Sequence, residues 1–312
     1  MNDDNLSFEK NRFPVSFEWP TWLLIISVYG SWFLLMQYYH SLGPILASPL
    51  LIVFCALHGS MCHELIHGHP TRITALNTLL GSVPLTLFLP YSIYRESHLT
   101  HHHDVNITLP GEDPESYYCS ASEYQRKSRT GKMFAWVNMT IAGRLLFNPA
   151  VEILGLGKLA FNAVKSSDTQ ALKIWGIHLV SVVLLMLLIV LYFQVSWWHY
   201  LLIAYFANSL TRIRSFYEHR ARTAVSERTV LMEPCLFFRV MFLNLNFHLA
   251  HHENPSIPWY QLGDYYYDHR TDLISRSGDF YYNGYRHWLL GHLFRPIDSP
   301  IHPFYESNGK AA

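Results

Sequence analysis

Two pairs of apolar segments constrain the fold of this 312-residue chain more than any other feature. They cover about residues 21–40 and 45–62, then about residues 172–193 and 197–213. A helix of about 20 residues spans roughly 30 Å, which is the thickness of the hydrocarbon core of a bilayer. Only a short turn separates the two members of each pair. The sequence therefore predicts an all-α integral membrane protein with four transmembrane helices in two hairpins.

The composition supports a membrane location. Hydrophobic residues make up 50% of the chain and charged residues 15%, against about 25% charged in ordinary soluble domains. Aromatic residues reach 15%, as expected for belts at the two membrane interfaces. The net charge is zero, so nothing indicates nucleic-acid binding. The N-terminal segment carries acidic residues and no cationic region before a cleavage site, so we expect the first span to be retained.

The distribution of positive charge predicts the orientation of the hairpins. No Lys or Arg occurs in residues 13–71 or 174–211. The basic residues that flank these stretches all lie on one side of the hairpins: Arg12, Arg72, Lys173 and Arg212. Under the positive-inside rule, both termini and the connection between the hairpins are cytoplasmic. We therefore expect a single domain, residues 1–312, with residues 63–171 and 214–312 forming a cytoplasmic cap.

Two segments of the predicted cap are themselves apolar. Residues 76–94 are interrupted by Gly81, Pro84 and Pro90, which favours a dip into the bilayer or a position at its surface over a regular span. Residues 133–161 mix apolar residues with scattered charges, which is typical of an amphipathic helix at the interface.

Histidines cluster in three short motifs near the predicted ends of spans. The first motif is His-Glu-Leu-Ile-His, and the other two share the spacing His-x-x-His-His. On a helix these spacings bring the imidazoles to one face. Neutral imidazole is a preferred ligand of zinc, copper, iron and nickel. The three motifs supply eight candidate metal ligands: His63, His67, His98, His101, His102, His248, His251 and His252.

The number of histidines indicates two metal ions. A single zinc takes four ligands, and His219, after the fourth segment, is a candidate ninth imidazole. Iron with open coordination positions activates O2, whereas zinc does not. Neighbouring side chains that could orient a ligating imidazole through its second ring nitrogen are Glu64, Asp104, Glu218, Glu253 and His103. For the acids, a solvated charge on a helix surface is an equally good interpretation.

The three motifs, together with two hairpins, resemble the integral-membrane fatty acid desaturase and hydroxylase superfamily over about residues 45–260. The resemblance implies a non-haem diiron centre in the cytoplasmic cap, held by the eight histidines of the motifs. His219 matches a further histidine that members place after the fourth span. Animal acyl-CoA desaturases have Asn four residues before that histidine, and this chain has Ser215 there.

The resemblance also implies the chemistry. The two irons would use O2 and two electrons to remove hydrogen from an unactivated C–H bond of a lipid acyl chain. The electron donor would be a separate protein of ferredoxin or cytochrome type, because this chain has no haem-binding or iron–sulfur cysteine pattern. Fatty acid desaturation is the favoured outcome. Hydroxylation of an acyl chain or alkane, decarboxylation to a terminal alkene, and carotenoid oxidation stay open.

Two other classes fit the sequence less well. The first motif also matches the His-Glu-x-x-His pattern of zinc proteases, with Glu64 as general base, but that function leaves the other two motifs unexplained. A metal transporter would place acidic residues within its spans, and residues 21–62 and 172–217 contain none.

Overall fold

The computed structural model describes residues 17–104 and 106–305. The predicted N-terminal tail with Arg12 and the last residues of the chain lie outside the described residues, so the predicted location of the termini stays a prediction. Within the described residues the chain is mainly helical, with fifteen α-helices and one two-stranded sheet. The prediction of a mainly helical protein is therefore confirmed.

The first two predicted spans form helices that pack against each other. They are α1 (Trp19–Gln37) and α3 (Pro44–Ile66), joined by the short helix α2 (Tyr39–Leu42). Gly43 has a φ of 73°, and this conformation suits a residue without Cβ. Pro44 begins α3, a position where its missing N–H costs no hydrogen bond. Helix α3 runs one turn past its predicted end, and the first histidine motif lies in that turn.

The apolar segment that the sequence places in or on the bilayer is built from two helices and an irregular link. Helix α4 (Thr74–Gly81) and helix α5 (Tyr91–His103) enclose the link, and Leu85 in the link is fully buried. The hydroxyl of Tyr200 donates to the carbonyl oxygen of Leu85 at 2.9 Å. A Cβ on Gly81 would lie 2.4 Å from the ring that begins α5, so only glycine permits this close approach.

The predicted interfacial helix is two helices. Helix α7 (Arg129–Val137) and helix α8 (Ile141–Ser166) meet at an angle of 118°. Thr140 separates them because its Oγ1 accepts a hydrogen bond from the backbone N–H of Gly143 at 3.0 Å, which caps α8. A Cβ on Gly143 would lie 1.8 Å from the carbonyl oxygen of the last residue of α7. The break thus depends on a capping threonine and a glycine that the apolar pattern does not reveal.

The third and fourth predicted spans also form helices. Helix α9 (Thr169–Leu187) continues through a π-helical turn (Leu188–Tyr192), and helix α10 (Trp197–Ser215) returns after a short link. Of the described helices, three are long and apolar enough to cross a membrane, namely α1, α3 and α9 with its π turn, and the bent pair α7–α8 would make four. Helix α10 is less apolar and packs between α3 and α8. The arrangement as two hairpins stays a prediction.

The rest of the described chain consists of short elements. The two strands pair in parallel, with Leu231 opposite Tyr281. One apolar core lies between α1, α3, the π turn and α10, and another packs beneath the third histidine motif. The short elements are α6 (Ala121–Arg126), a 3₁₀ turn (Val225–Glu227), β1 (Leu231–Met232), α11 (Leu236–Met241), α12 (His248–Glu253), α13 (Trp259–Asp268), α14 (Arg270–Arg276), β2 (Tyr281–Tyr282) and α15 (Arg286–His292).

Candidate metal centre

Each histidine motif lies at the end of a helix. His63 is in the last turn of α3 and His67 directly follows that helix as its C-cap, with their ring centroids 4.7 Å apart. The second motif forms the last turns of α5, and the third forms the first turn of α12. His219 follows α10 by four residues and pairs with Thr229 through an isolated bridge. Helical spacing therefore aligns the histidines within each motif, and the packing of α3, α5, α10 and α12 brings the motifs together.

The nine predicted histidines fall into two groups, and in each group one ring nitrogen of every member lies within 4.8 Å of the others. We call the groups cluster A and cluster B. Cluster A consists of His63, His67, His98, His102 and His251. Cluster B consists of His101, His219, His248 and His252. Both clusters draw on more than one motif, so neither exists until the chain has folded.

The distances between coordinating nitrogens fit a metal ion. In cluster A, the Nε2 atoms of His67 and His98 are 3.1 Å apart, and those of His102 and His251 are 3.2 Å apart. In cluster B, the Nε2 atom of His219 lies 3.0 Å from those of both His101 and His248, and the Nε2 atoms of His248 and His252 are 3.1 Å apart. Four nitrogens at 2.0–2.1 Å from one ion would be about 3.3 Å apart.

Burial also favours a bound cation. His63 is fully buried, and neither of its ring nitrogens has a hydrogen-bond partner in the described part of the protein. An unpartnered buried polar atom is costly and rare in native structures. A cation bound by the converging ring nitrogens would accept their lone pairs, so that no hydrogen bond between the rings is needed. The residues of both clusters therefore fit metal ions.

The electrostatics keep most of the imidazoles in the neutral form that binds metal. Burial lowers the pKa of His219, His248 and His252 well below its ordinary value. Burial, together with His98 and His101, lowers the pKa of His102 to about 2. These rings are therefore neutral at pH 7 and have a free lone pair for a cation.

His101 differs from these histidines, because its pKa is raised and not lowered. Burial lowers its pKa, but Glu115 and Asp113 outweigh burial and raise the pKa to about 9. The same two acids lie on the outer side of the centre. Asp113 Oδ1 accepts a hydrogen bond from Nδ1 of His101 at 2.8 Å, and Glu115 Oε1 accepts one from Nδ1 of His98 at 2.9 Å. Each acid fixes the ring so that Nε2 faces its cluster.

Asp113 and Glu115 are functional candidates that the motif analysis missed. Both lie in the turn-rich stretch after the second motif, where Glu112, Asp113 and Glu115 form a group of acids. That density of acids after a histidine motif is the signal that the sequence offered. Asp113 is itself held in place, since it also accepts hydrogen bonds from the backbone N–H groups of Thr108 and Glu115 at 2.8 and 2.9 Å.

The acids predicted from their proximity in sequence mostly have other partners. Glu64 accepts a hydrogen bond from the backbone N–H of Trp259 at 3.1 Å, and Glu253 forms an ion pair with Arg276. Asp104 accepts a hydrogen bond from the N–H of Asn106 at 2.8 Å. A residue beside a motif histidine on a helix points away from that histidine, which is why proximity in sequence misled here.

Glu218 and His103, the last two predicted residues, differ in their position relative to the clusters. Glu218 lies 3.5 Å from Nδ1 of His248 and forms an ion pair with Arg214, so it faces cluster B. His103 is exposed and belongs to neither cluster. Ser215, one turn before His219, has a buried hydroxyl without a hydrogen-bond partner among the described residues.

A cavity of about 680 Å³ reaches both clusters, within the range of about 300–1,000 Å³ that is usual for small-molecule sites. His98 from cluster A and His219 and His248 from cluster B form part of its wall. The rest of the wall comes mainly from α3, α5, α8 and α10 and from the link between α4 and α5. A substrate in this cavity would lie directly against the histidines.

Comparison with known proteins identifies one family. The family model described as "Fatty acid desaturase" matches residues 39–286, which is most of the chain and includes all nine histidines. No curated protein matches the chain. The family match agrees with the resemblance drawn from the three histidine motifs.

Proposed function

The chain belongs to the fatty acid desaturase family, and from this premise we propose that it is a diiron membrane enzyme that uses O2 to oxidise a lipid acyl chain. Family membership and the apolar helices make the protein an integral membrane oxidoreductase. The observation that carries the proposal is the convergence of nine histidines into two clusters beside one cavity.

Each cluster would hold one iron. Cluster A would bind one ion through its five histidines, and cluster B would bind the other through its four. When bound, the two irons would provide the chemistry that activates O2 and removes hydrogen from the C–H bond. The protein's own groups orient the rings, through Asp113 on His101 and Glu115 on His98, and keep bulk water away from the clusters.

Desaturation is the outcome that we propose first. It consumes O2, two electrons and two protons, removes a hydrogen atom from each of two neighbouring carbons, and yields a double bond and two waters. Hydroxylation uses the same inputs but leaves one oxygen atom on the carbon and forms one water. Placement of the acyl chain decides between these outcomes, and alkane hydroxylation, terminal alkene formation and carotenoid oxidation are the further alternatives within the family.

The two electrons would come from a separate ferredoxin-type or cytochrome-type protein. We propose that α10 is the fourth span and that both termini and the histidine clusters face the cytoplasm, as the flanking basic residues favour. Reporter fusions test this topology. A fluorescent protein at the C-terminus should fluoresce, and alkaline phosphatase there should be inactive; the reverse result would contradict it.

A zinc protease is a poorer interpretation of the same residues. Its general base would be Glu64, whose carboxylate accepts a hydrogen bond from the Trp259 backbone. It would also use only His63 and His67 of the nine histidines. A single-zinc function thus leaves cluster B without a role.

The deciding experiment measures metal content and turnover together. We expect about two irons per chain in the purified protein, O2 consumption that depends on a reduced electron donor, and new double bonds or hydroxyls in the acyl products. His103→Ala is the matched control for His102→Ala, because the two residues are neighbours but only His102 belongs to a cluster. One zinc per chain without iron would overturn the proposal.

A further inference from the structure

The cavity changes in polarity along α8. Six residues of this helix line the cavity and share one face: Arg144, Asn148, Val151, Glu152, Leu156 and Leu159. The first two are polar and the last two are apolar, and the carboxylate of Glu152 between them is paired with Arg212. At 1.5 Å per residue, Arg144 and Leu159 are about 22 Å apart along the helix. The wall therefore has a polar end and an apolar end, separated by the length of a long acyl chain.

The polar end carries a buried cation without a counter-charge. Arg144 is 5% exposed, and its Nε donates to the carbonyl oxygen of Asn138 at 2.8 Å. Its Nη2 has no hydrogen-bond partner in the described part of the chain. The other two arginines of the cavity wall have carboxylates, since Arg212 pairs with Glu152 and Arg214 pairs with Glu218.

A buried charge without a partner is expensive, and this cost is usually met by an ion pair or a ligand. No carboxylate among the described residues pairs with Arg144. Its guanidinium instead lies over the ring of Tyr117, 4.5 Å from the centroid, where cation–π attraction holds the charge in place without neutralising it. Arg144 is thus the one arginine of the described cavity wall without a carboxylate partner, and its charge is available to an anion.

The polar end also adjoins the metal centre. The ring of Tyr117 on which Arg144 stacks belongs to the same cavity wall, and its hydroxyl donates to the backbone carbonyl oxygen of His219. His219 belongs to cluster B and lines the cavity itself. An anion held at Arg144 would therefore lie beside the histidines, with the apolar end of the cavity leading away from them.

We propose that Arg144 binds the carboxylate of a free fatty acid, so that the acyl chain runs along α8 towards Leu159 and its head lies beside the histidine clusters. The inference rests on the proposed function, because it names the substrate class of the same site. A guanidinium forms strong charge-assisted hydrogen bonds with a carboxylate. Alkanes and carotenoids lack an anion and would leave Arg144 unpaired. The oxidised carbon is therefore expected near the carboxyl end of the chain.

Binding measurements test the assignment without turnover. The full-length protein, treated with chelator and placed in nanodiscs, is titrated at pH 8 with radiolabelled hexadecanoate and, by competition, with hexadecan-1-ol. We expect hexadecanoate to bind at least tenfold more tightly than the alcohol. Arg144→Gln should lose at least tenfold in hexadecanoate affinity with unchanged affinity for the alcohol. Arg144→Lys should keep part of the preference, because the charge remains.

Arg126→Gln is the control, because Arg126 is an exposed arginine on α6 outside the cavity, and it should bind both probes like the wild type. Equal affinity of the wild type for acid and alcohol would overturn the proposal, even if Arg144→Gln fails to fold. An unchanged preference in Arg144→Gln would also overturn it. A tighter, Arg144-dependent interaction with lysophosphatidate would replace the carboxylate with a phosphate head and overturn the fatty acid assignment.

The test separates this inference from the proposed function. Binding to chelator-treated protein does not require iron, O2 or an electron donor, so a failed turnover assay leaves the binding result intact. Conversely, two irons per chain and oxidised acyl products without a preference for the carboxylate would support the proposed function and reject the role of Arg144.

Discussion

Clusters A and B are built from the same residue type, but they differ in what holds their rings. In cluster B, His101 donates to a carboxylate, His248 lies 3.5 Å from a carboxylate, and Nδ1 of His219 lies 3.3 Å from the hydroxyl of Thr229. In cluster A, His98 has Glu115, whereas His63 and His102 have an unpartnered Nδ1 within the described residues. Nδ1 of His248 in cluster B also lacks a hydrogen bond there, although the Glu218 carboxylate lies near it. More rings of cluster B than of cluster A therefore have an acid or a hydroxyl beside Nδ1.

The acids that hold the imidazoles, Asp113 and Glu115, also differ in how firmly they are fixed. The side chain of Asp113, behind cluster B, is 1% exposed and accepts hydrogen bonds from two backbone N–H groups. The side chain of Glu115, behind cluster A, is 30% exposed. A buried and fixed carboxylate restricts its imidazole more than a partly exposed one does. We therefore expect cluster B to bind its ion more tightly than cluster A.

The largest expected effect comes from removing a histidine from either cluster. His101→Ala in cluster B and His251→Ala in cluster A should abolish activity while the protein stays inserted in the membrane, because each loses a metal ligand. Product formation and iron per chain measure the effect. Retained oxidation by either variant would contradict the role of that histidine, and His103→Ala should keep its iron and its activity.

The second-largest effect is expected when Asp113 or Glu115 is replaced, and its size should differ between the two clusters. Asp113→Asn should lower the metal affinity of cluster B by about 10–100-fold, the usual loss when the partner of a ligating histidine is removed. Glu115→Gln should have a smaller effect, because that acid is more exposed. Competition with a chromophoric chelator measures both affinities. Glu253→Gln, which alters an acid paired with Arg276, is the control, and a larger loss in Glu115→Gln would reverse the comparison.

A smaller effect is expected from Thr229→Val, which removes the hydroxyl near Nδ1 of His219. One hydrogen bond contributes about 0.5–1.5 kcal/mol, so the affinity of cluster B should fall by roughly 2–10-fold. The chelator competition that measures Asp113→Asn applies here too. If Thr229→Val lost as much affinity as Asp113→Asn, the carboxylate would not be the main support of the cluster.

The last expected effect concerns stability instead of metal affinity: it is a pH dependence of the metal-free protein. The pKa of His101 rises from about 6.5 in the unfolded chain to about 9 in the folded one. Its contribution to stability is therefore complete below pH 6.5 and is lost as the pH rises through 9. The Tm of chelator-treated protein should fall between pH 7 and pH 10, and less so in Asp113→Asn. An equal fall of Tm in both proteins would show that the pair of His101 and Asp113 is not the cause.

Much of the fold and most of the centre could be predicted because their signals are local. An apolar stretch of about 20 residues indicates a transmembrane helix by its length alone. The periodicity of a helix aligns histidines that are three or four residues apart. The break at Thr140 and Gly143 was missed because a cap and a close backbone contact leave the apolar pattern unchanged. The sequence predicts helix α10 as a span of the same kind as the others, although it is less apolar than they are.

The sequence by itself determined which histidines come together: all nine that it predicted lie in the two clusters. Only the tertiary structure decided how they divide. His101 and His102 are neighbours in the chain but belong to different clusters, because adjacent residues on a helix point about 100° apart. The partners Asp113 and Glu115 and the unpaired charge of Arg144 likewise depend on which segments pack together, and pairings between distant segments leave no periodic trace in the sequence.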